Sequence, residues 1–506
     1  MHINNIKTNK VIFYASLIVL FLFTVPLIIW SDESYQFLAF LKTFFEDMFG
    51  SIYQTLTILV MVFVLWLAFS KHGQIKLGEG GYHFNTFSWA SMLFCAGVAT
   101  GILYWGTIEW AYYYETPPFG ITPRSDMAIE YAATYGMFHW GLAGWAFYCL
   151  PAIALSYMYY VKRVPLLRIS NSCRGLLGRH ADGVPGQVID VLFMVGLLGS
   201  TGTSMGLGTP MIAAGVESIF GVSESFSLKV LVILFCATIF SISVYLGLNR
   251  GIKRLSNFNT TVAFIFLAFI FLAGPTVFIL KMSLNSFGLM LQNFIRMLTW
   301  TDPLTDSRFV EDWSIFYWSW WIAVGPFNGI FITKISGGRS IRQVILGTML
   351  FGSIGCAVFY NILGNYALHL ELTGDFLTTN LIQIGKGAQA ISGVIGSLPG
   401  GQITLLFFTI MSVVFMATPF DSSSYALASC ASEKLEAHQE PARWQRLFWA
   451  FTLIILPLSL IYIGGLDSLK LAVLVSALPL TIVYVFMAIS LTILLKKHRG
   501  NNDISE

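Results

Sequence analysis

Charge is scarce in this chain. Asp, Glu, Lys and Arg make up 11% of its 506 residues, against roughly 25% in a soluble domain. Hydrophobic residues make up 56%, more than a water-soluble surface can accommodate, which leaves a protein that crosses a membrane many times. Cysteine is also sparse. The six (Cys95, Cys149, Cys173, Cys236, Cys356, Cys430) show no C-x-x-C spacing, so neither a disulfide framework nor a thiolate metal site is expected, and they read as small core residues. Walker A, H-E-x-x-H and G-x-S-x-G sequences are missing, which removes the usual motifs for ATP-driven transport and membrane hydrolysis. No nucleophile–base pair stands out, so an enzyme is not expected. The net charge of +3 calls for no nucleic-acid partner.

Long apolar runs take the place of charge. Twelve of them approach or exceed the ~18 residues that a spanning helix needs. They lie at 11–30, 51–70, 88–114, 136–160, 187–216, 228–248, 258–280, 313–333, 341–368, 402–430, 446–465 and 469–495. The first run lacks a small-residue cleavage site after it, so it is expected to remain as a helix. With the N-terminus placed inside, the inner loops and tails carry 21 of the 29 Lys and Arg, the bias of a protein with both termini cytoplasmic. The expected fold is an all-α membrane protein with twelve transmembrane helices. Segment 1–87 holds the N-terminal tail and two leading helices, and 88–282 a first set of five. An external segment follows at 283–312, then a second set of five at 313–495 and a short tail at 496–506. Within the external segment, Leu284 to Leu298 places apolar residues every three or four positions, as in a helix lying along a membrane surface.

Aromatic residues are concentrated in three runs. At 313–321 the chain reads W-S-I-F-Y-W-S-W-W. Two readings stand open: a headgroup belt at a helix end, or an aromatic wall for a quaternary ammonium, which donates no hydrogen bond and is held by ring faces. A second set, Trp140, Trp145 and Tyr148, falls within an arc of roughly 140° on a helix. The third run carries Tyr104, Trp105, Trp110, Tyr112, Tyr113 and Tyr114, of which Tyr113 and Tyr114 are expected at the interface.

The third and eighth runs are both interrupted, by A-G-V-A-T-G at 96–101 and A-V-G-P-F-N-G at 323–329. Paired interruptions in matching positions of two halves point to a midplane substrate site, although small residues also serve close helix packing. Pro326 is expected to break its helix. Among ionisable residues, Glu109 is a candidate cation partner or gate at the outer end of its run. Asp421 is expected in a structural or ion-site role, Asp190 to pair with a loop cation, and His139 to be a hydrogen-bonded core residue. Arg339 and Arg342 are candidates for salt bridges at an inner gate.

These residues resemble the betaine/carnitine/choline transporter family. The similarity rests on W-S-I-F-Y-W-S-W-W at 313–321 with I-S-G-G-R-S-I-R at 335–342, on H-W-G at 139–141 with Trp145 and Tyr148, on G-T-S-M-G-L-G at 202–208, and on W-G-T-I-E at 105–109 with T-P-P-F-G at 116–120. The resemblance spans essentially the whole chain. It implies two inverted five-helix repeats of leucine-transporter type, alternating access, a homotrimer, and a bacterial inner-membrane location. It implies that Trp140, Trp145, Tyr148, Trp318, Trp320 and Trp321, with Tyr112, line the ammonium site or its path, while Trp313 anchors the outer interface. It implies no cofactor beyond sodium as a coupling ion, with ion-site candidates Ala99, Asn259, Phe327, Phe415 and Thr418. Asn259 and Asn328 resemble the sodium-coupled symporters, which favours uptake coupled to sodium. Thr418-Pro419 departs from the symporter Thr-Ser pair, and W-G-T-I-E resembles the sodium-independent carnitine/γ-butyrobetaine exchanger, which stands as the alternative. A non-transporting ligand-binding receptor or channel is the rival from another class. The absence of an aspartate in the 96–101 segment disfavours choline.

Overall fold

A computed structural model of the chain describes residues 7–96, 99–164, 166–246, 253–305, 307–433, 435, 439–463 and 465–502. Among these residues the structure is helical, with two isolated bridges and no strand. The longer helices are α1 (Lys10–Ile29), α2 (Ser31–Phe69), α3 (Thr86–Ala96), α4 (Thr100–Glu115), α5 (Asp126–His139), α6 (Leu142–Ser156), α7 (Val184–Phe220), α8 (Phe226–Leu246), α9 (Lys253–Ala273), α10 (Thr276–Thr299), α11 (Phe316–Ile335), α12 (Ile341–Phe359), α13 (Gln402–Cys430), α14 (Arg443–Ile463) and α15 (Leu466–Asn502). Nine spans among the described residues are long and apolar enough to cross a membrane, or ten if α9 and α10, bent by 109° at Gly274–Pro275, count as one. Composition explains the bend: Pro275 lacks the N–H that would continue α9 and instead caps α10. The expected surface helix at 284–298 is the later part of α10.

Two expectations about elements change, and one holds. The second leading helix starts at Ser31, twenty residues ahead of the expected position. Its 39 residues measure about 58 Å at 1.5 Å per residue, well beyond a hydrocarbon core of about 30 Å. Its first half carries Asp32, Glu33, Lys42, Glu46 and Asp47, which is why no apolar run marked it. The third run is broken, with α3 ending at Ala96 and Ala99 extended ahead of α4 (φ −140°, ψ 176°). The eighth run is not: α11 continues through Pro326, and its irregularity lies upstream, in a π-helical stretch at Val310–Ile315. A proline removes one ladder bond, and a helix packed on all sides absorbs that loss.

That packing is close. Added Cβ atoms would fall 2.3 Å from Trp321 at Gly144, 2.9 Å from the Phe147 carbonyl at Gly325, and 2.8 Å from Pro151 at Gly329. Glycine therefore lets α6 and α11 run against each other with almost no gap, and the residues flanking this seam build the site below. At the other end of α11, loop 336–341 is stapled to segment 75–77. Leu77 N donates to Arg339 O (2.8 Å), Gly338 N to Leu77 O (2.7 Å) and Ile341 N to Ile75 O (3.0 Å). Arg339 does not form the expected salt bridge. Its guanidinium stands 4.0 Å from the Trp89 ring centroid and 4.5 Å from that of Tyr82, and donates to Phe84 O. Arg342 donates to Ala68 O at 2.8 Å. Asp190 takes its hydrogen bonds from Ser170, through backbone N–H and hydroxyl at 3.0 Å each, with the loop cation Arg168 within electrostatic reach.

Candidate functional site: an aromatic cage at the α5–α6 break

Helix α5 ends at His139, and the chain turns through Trp140 (φ −95°, ψ 11°) and extended Gly141 before α6 begins. The break turns Trp140 toward α11. Its ring centroid lies 5.3 Å from Trp320 and 5.8 Å from Trp321, at interplanar angles of 89° and 76°. Trp321 also meets Tyr148 (4.8 Å) and Trp145 (5.8 Å). The two Trp140 pairs are edge-to-face, a favoured arrangement for aromatic rings, while the Tyr148 and Trp145 rings are tilted against Trp321 at 57° and 53°. All five rings are at least nine-tenths buried.

Hydrogen bonds fix the orientations. The Trp321 indole donates to His139 O (2.9 Å) and that of Trp145 to Trp140 O (3.2 Å); both carbonyls lie at the α5 terminus, where helix geometry leaves them without intrahelical donors. Glycine makes the space. An added Cβ at Gly101, just inside α4, would lie 2.8 Å from Trp320, and one at Gly144 would lie 2.3 Å from Trp321. The small residues of the 96–101 segment thus serve the cage as well as helix packing. Thr100, at the first turn of α4, is buried, and its hydroxyl has no hydrogen-bond partner among the described residues.

A family profile described as "BCCT, betaine/carnitine/choline family transporter" matches residues 11–500. The chain belongs to this family. It is 34% identical over 429 residues to an uncharacterized transporter, YeaV, of Escherichia coli K12, covering 85% of this chain and 89% of that one. It is 33% identical over 479 residues to a carnitine transporter of Acinetobacter baumannii, covering 94% of this chain and 87% of that one. The protein is accordingly a multi-pass membrane transporter and not an enzyme.

Of the residues expected to line the site in this family member, Trp140, Trp145, Tyr148, Trp320 and Trp321 come together. Trp318 and Tyr112 do not join them. Trp318 faces α2 and α5: its indole donates to Gln54 Oε1 (3.2 Å) and its ring packs on Phe138 and His139. Three positions from Trp321, it projects about 60° away around α11. Tyr112 packs with Trp105 and Trp313 in a second aromatic cluster. Trp313 is 5% exposed and sits inside that cluster, 5.4 Å from Trp105 and 4.9 Å from Tyr113, so it is no interface anchor. Tyr113 is fully buried as well, against the expectation that placed it at the interface.

Three of the ion-site candidates gather where α4, α7, α9 and α13 approach each other. Asn259 on α9 donates to Val414 O at 3.0 Å, one residue from the buried Phe415. A Cβ at Gly208 of α7 would touch Thr100, next to Ala99, and Met416, next to Phe415. Phe327 is half-buried on α11, and the Thr418 side chain lies outside the described ones. Of the six cysteines, the five with described side chains are free and buried.

The sequence reading missed Lys470. It is 6% exposed on α15, its ammonium standing 4.0 Å from the Trp313 ring centroid and donating to Asp312 O at 3.0 Å. Asp312 pairs with Lys42 (2.8 Å), which also reaches Glu46 and Asp467, and Glu46 pairs with Arg308 (2.8 Å). A lysine at the start of an apolar run was the available signal, because an intramembrane charge needs a partner. Tyr360 of the π-helical stretch after α12 was also missed. Its ring lies 6.0 Å from Trp140, and no sequence pattern distinguished it.

Proposed function

We propose that this transporter carries a quaternary ammonium zwitterion, glycine betaine, carnitine or a close relative, across the bacterial inner membrane by alternating access. The observation that carries the reading is the cage itself. Trp140, Trp320, Trp321 and Tyr148 pack together edge to face or tilted, and the residues that form the cluster are neutral. Such a lining offers a metal ion or a primary amine no carboxylate to replace its water. A trimethylammonium group needs none and is attracted by each face, with about 0.5–2 kcal/mol per ring when desolvated. Thr100 and the first backbone N–H groups of α4 adjoin Gly101 and Trp320, and a helix N-terminus with a free hydroxyl suits the carboxylate of a zwitterion. The carnitine transporter among its relatives agrees in substrate class.

Coupling to sodium is part of this proposal. Sodium, like other hard cations, takes oxygen ligands from carbonyls and hydroxyls, and broken helices are where membrane transporters supply such carbonyls. The reading further takes both termini as cytoplasmic, the two five-helix sets as inverted repeats, and the protein as a homotrimer. Uptake of labelled glycine betaine, carnitine and choline into proteoliposomes, with and without an inward sodium gradient, tests substrate and coupling together. Accumulation of a zwitterion driven by sodium is the expected result. Equal uptake without sodium, but dependent on internal substrate, assigns exchange. Failure of all three compounds to bind or move overturns the reading.

A further inference from the structure

Glu109 lies in the middle of the aromatic core with no exposed surface. Three phenols from three elements converge on it. Tyr113 of α4 donates to Oε1, and Tyr317 of α11 and Tyr360 of the stretch after α12 donate to Oε2. Three hydroxyls within reach supply the donors that an ionised carboxyl group, which can only accept, requires. Two of these phenols form the wall behind the cage. The Tyr317 ring stacks on Trp320 (6.2 Å, 25°) and meets Trp140 edge-on (5.9 Å), and Tyr360 lies against Trp140 (6.0 Å).

The other ionisable neighbour is His139 on α5, with Nδ1 3.9 Å from Glu109 Oε1. A neutral imidazole fits its two contacts, with Nδ1 donating to the Tyr113 hydroxyl at 3.0 Å and Nε2 accepting from Ser314 at 3.0 Å. That is a complete hydrogen-bond chain for a neutral imidazole. Lys470, the buried cation of the neighbouring cluster, is engaged by Asp312 O and the Trp313 face.

We propose that Glu109 is a specificity-determining residue of the transport site: its charge, one tyrosine ring removed from Trp140 and Trp320, makes the cage select a cationic head over a neutral group of the same shape. This rests on the cage reading above and deepens it. A hydroxyl that donates to a carboxylate also enriches its own ring in electrons, which strengthens the quadrupole behind the cage.

Direct titration of the purified full-length protein with glycine betaine and with tert-butylacetate, its isostere with carbon in place of the ammonium nitrogen, separates charge from shape. Wild-type protein is expected to prefer betaine. In Glu109→Gln, which keeps the side-chain shape, that preference should fall about tenfold, the effect of a unit charge acting on the order of 10 Å away through a protein interior. Tyr360→Phe removes one hydroxyl bridge, and its preference should fall about threefold; this variant decides the matter if Glu109→Gln does not yield folded protein. A residue with a merely structural role would weaken both ligands together. An unchanged betaine-to-isostere ratio in the folded variant therefore overturns the proposal. Wild-type protein that binds neither ligand contradicts the cage reading itself, a separate failure.

Discussion

Two tryptophan clusters lie along the run at 313–321, and they differ in what already stands at their faces. At Trp313, packed with Trp105, Tyr112 and Tyr113, the protein supplies its own cation: the Lys470 ammonium sits over the ring and is anchored by Asp312 O. At Trp320 and Trp321 the rings pack against Trp140 and Tyr148, and no Lys or Arg among the described residues is found over those four rings. Aromatic density is the same in both. The built-in cation makes the first a structural joint between α2, the π-helical start of α11, and α15, while the second is the one that the proposed function gives to the substrate ammonium. Counting aromatic residues therefore does not locate a cation site; asking which faces are already taken does.

The comparison can be broken most sharply at the glycines that admit the cage rings. Gly144→Ala places a methyl group 2.3 Å from the Trp321 ring, which must move, so affinity for a trimethylammonium substrate should fall beyond about 30-fold, roughly 2 kcal/mol. Gly101→Ala is milder, because its methyl meets only the far edge of Trp320 at 2.8 Å. A loss of about fivefold in a binding titration is expected, and an unchanged affinity in both variants would show that those rings are not the receptor. The opposite pattern is expected at the other cluster. Lys470→Met removes the cation from over Trp313 and leaves Asp312 O without its donor, which should lower the thermal midpoint in detergent by several degrees. Substrate affinity should change less than about twofold. A stable variant with lost affinity would move the Trp313 cluster into the transport site. On the ion side, Asn259→Arg places a fixed charge beside Val414 O and Phe415; uptake that becomes independent of sodium supports coupling at that position, and unchanged sodium dependence counts against it.

Much of this was legible in the sequence, for reasons that differ from residue to residue. The scarcity of charge and the length of the apolar runs dictate spanning helices, because backbone groups in hydrocarbon must be satisfied within the helix. The break at 96–101 was visible because consecutive small residues weaken the ladder. The pairing of Trp140 with Trp320 and Trp321 was suspected from aromatic clusters on two runs. Their geometry was not readable, since it follows from the turn at Trp140–Gly141, which no breaker residue other than a single glycine announces. The resemblance implied Trp318 along with Trp320 and Trp321, and its ring packs instead on Phe138 and His139, because a dense run offers rings to every side and only the neighbours decide among them. Charge pattern misled at Arg339, whose partners are two rings and the Phe84 carbonyl. Glu109 was read as a cation partner or gate at the outer end of its run because position in a run was taken as depth, whereas helix α4 is buried almost throughout.

The central claim, that the ammonium is held by Trp320 and Trp321 and not by the equally aromatic Trp313, is tested most directly by calorimetric titration of two variants from the same run. Trp321→Leu should weaken binding of the trimethylammonium substrate about tenfold or more, while Trp313→Leu should leave it within about twofold. Equal losses in the two variants, or a larger loss at Trp313, would contradict the account.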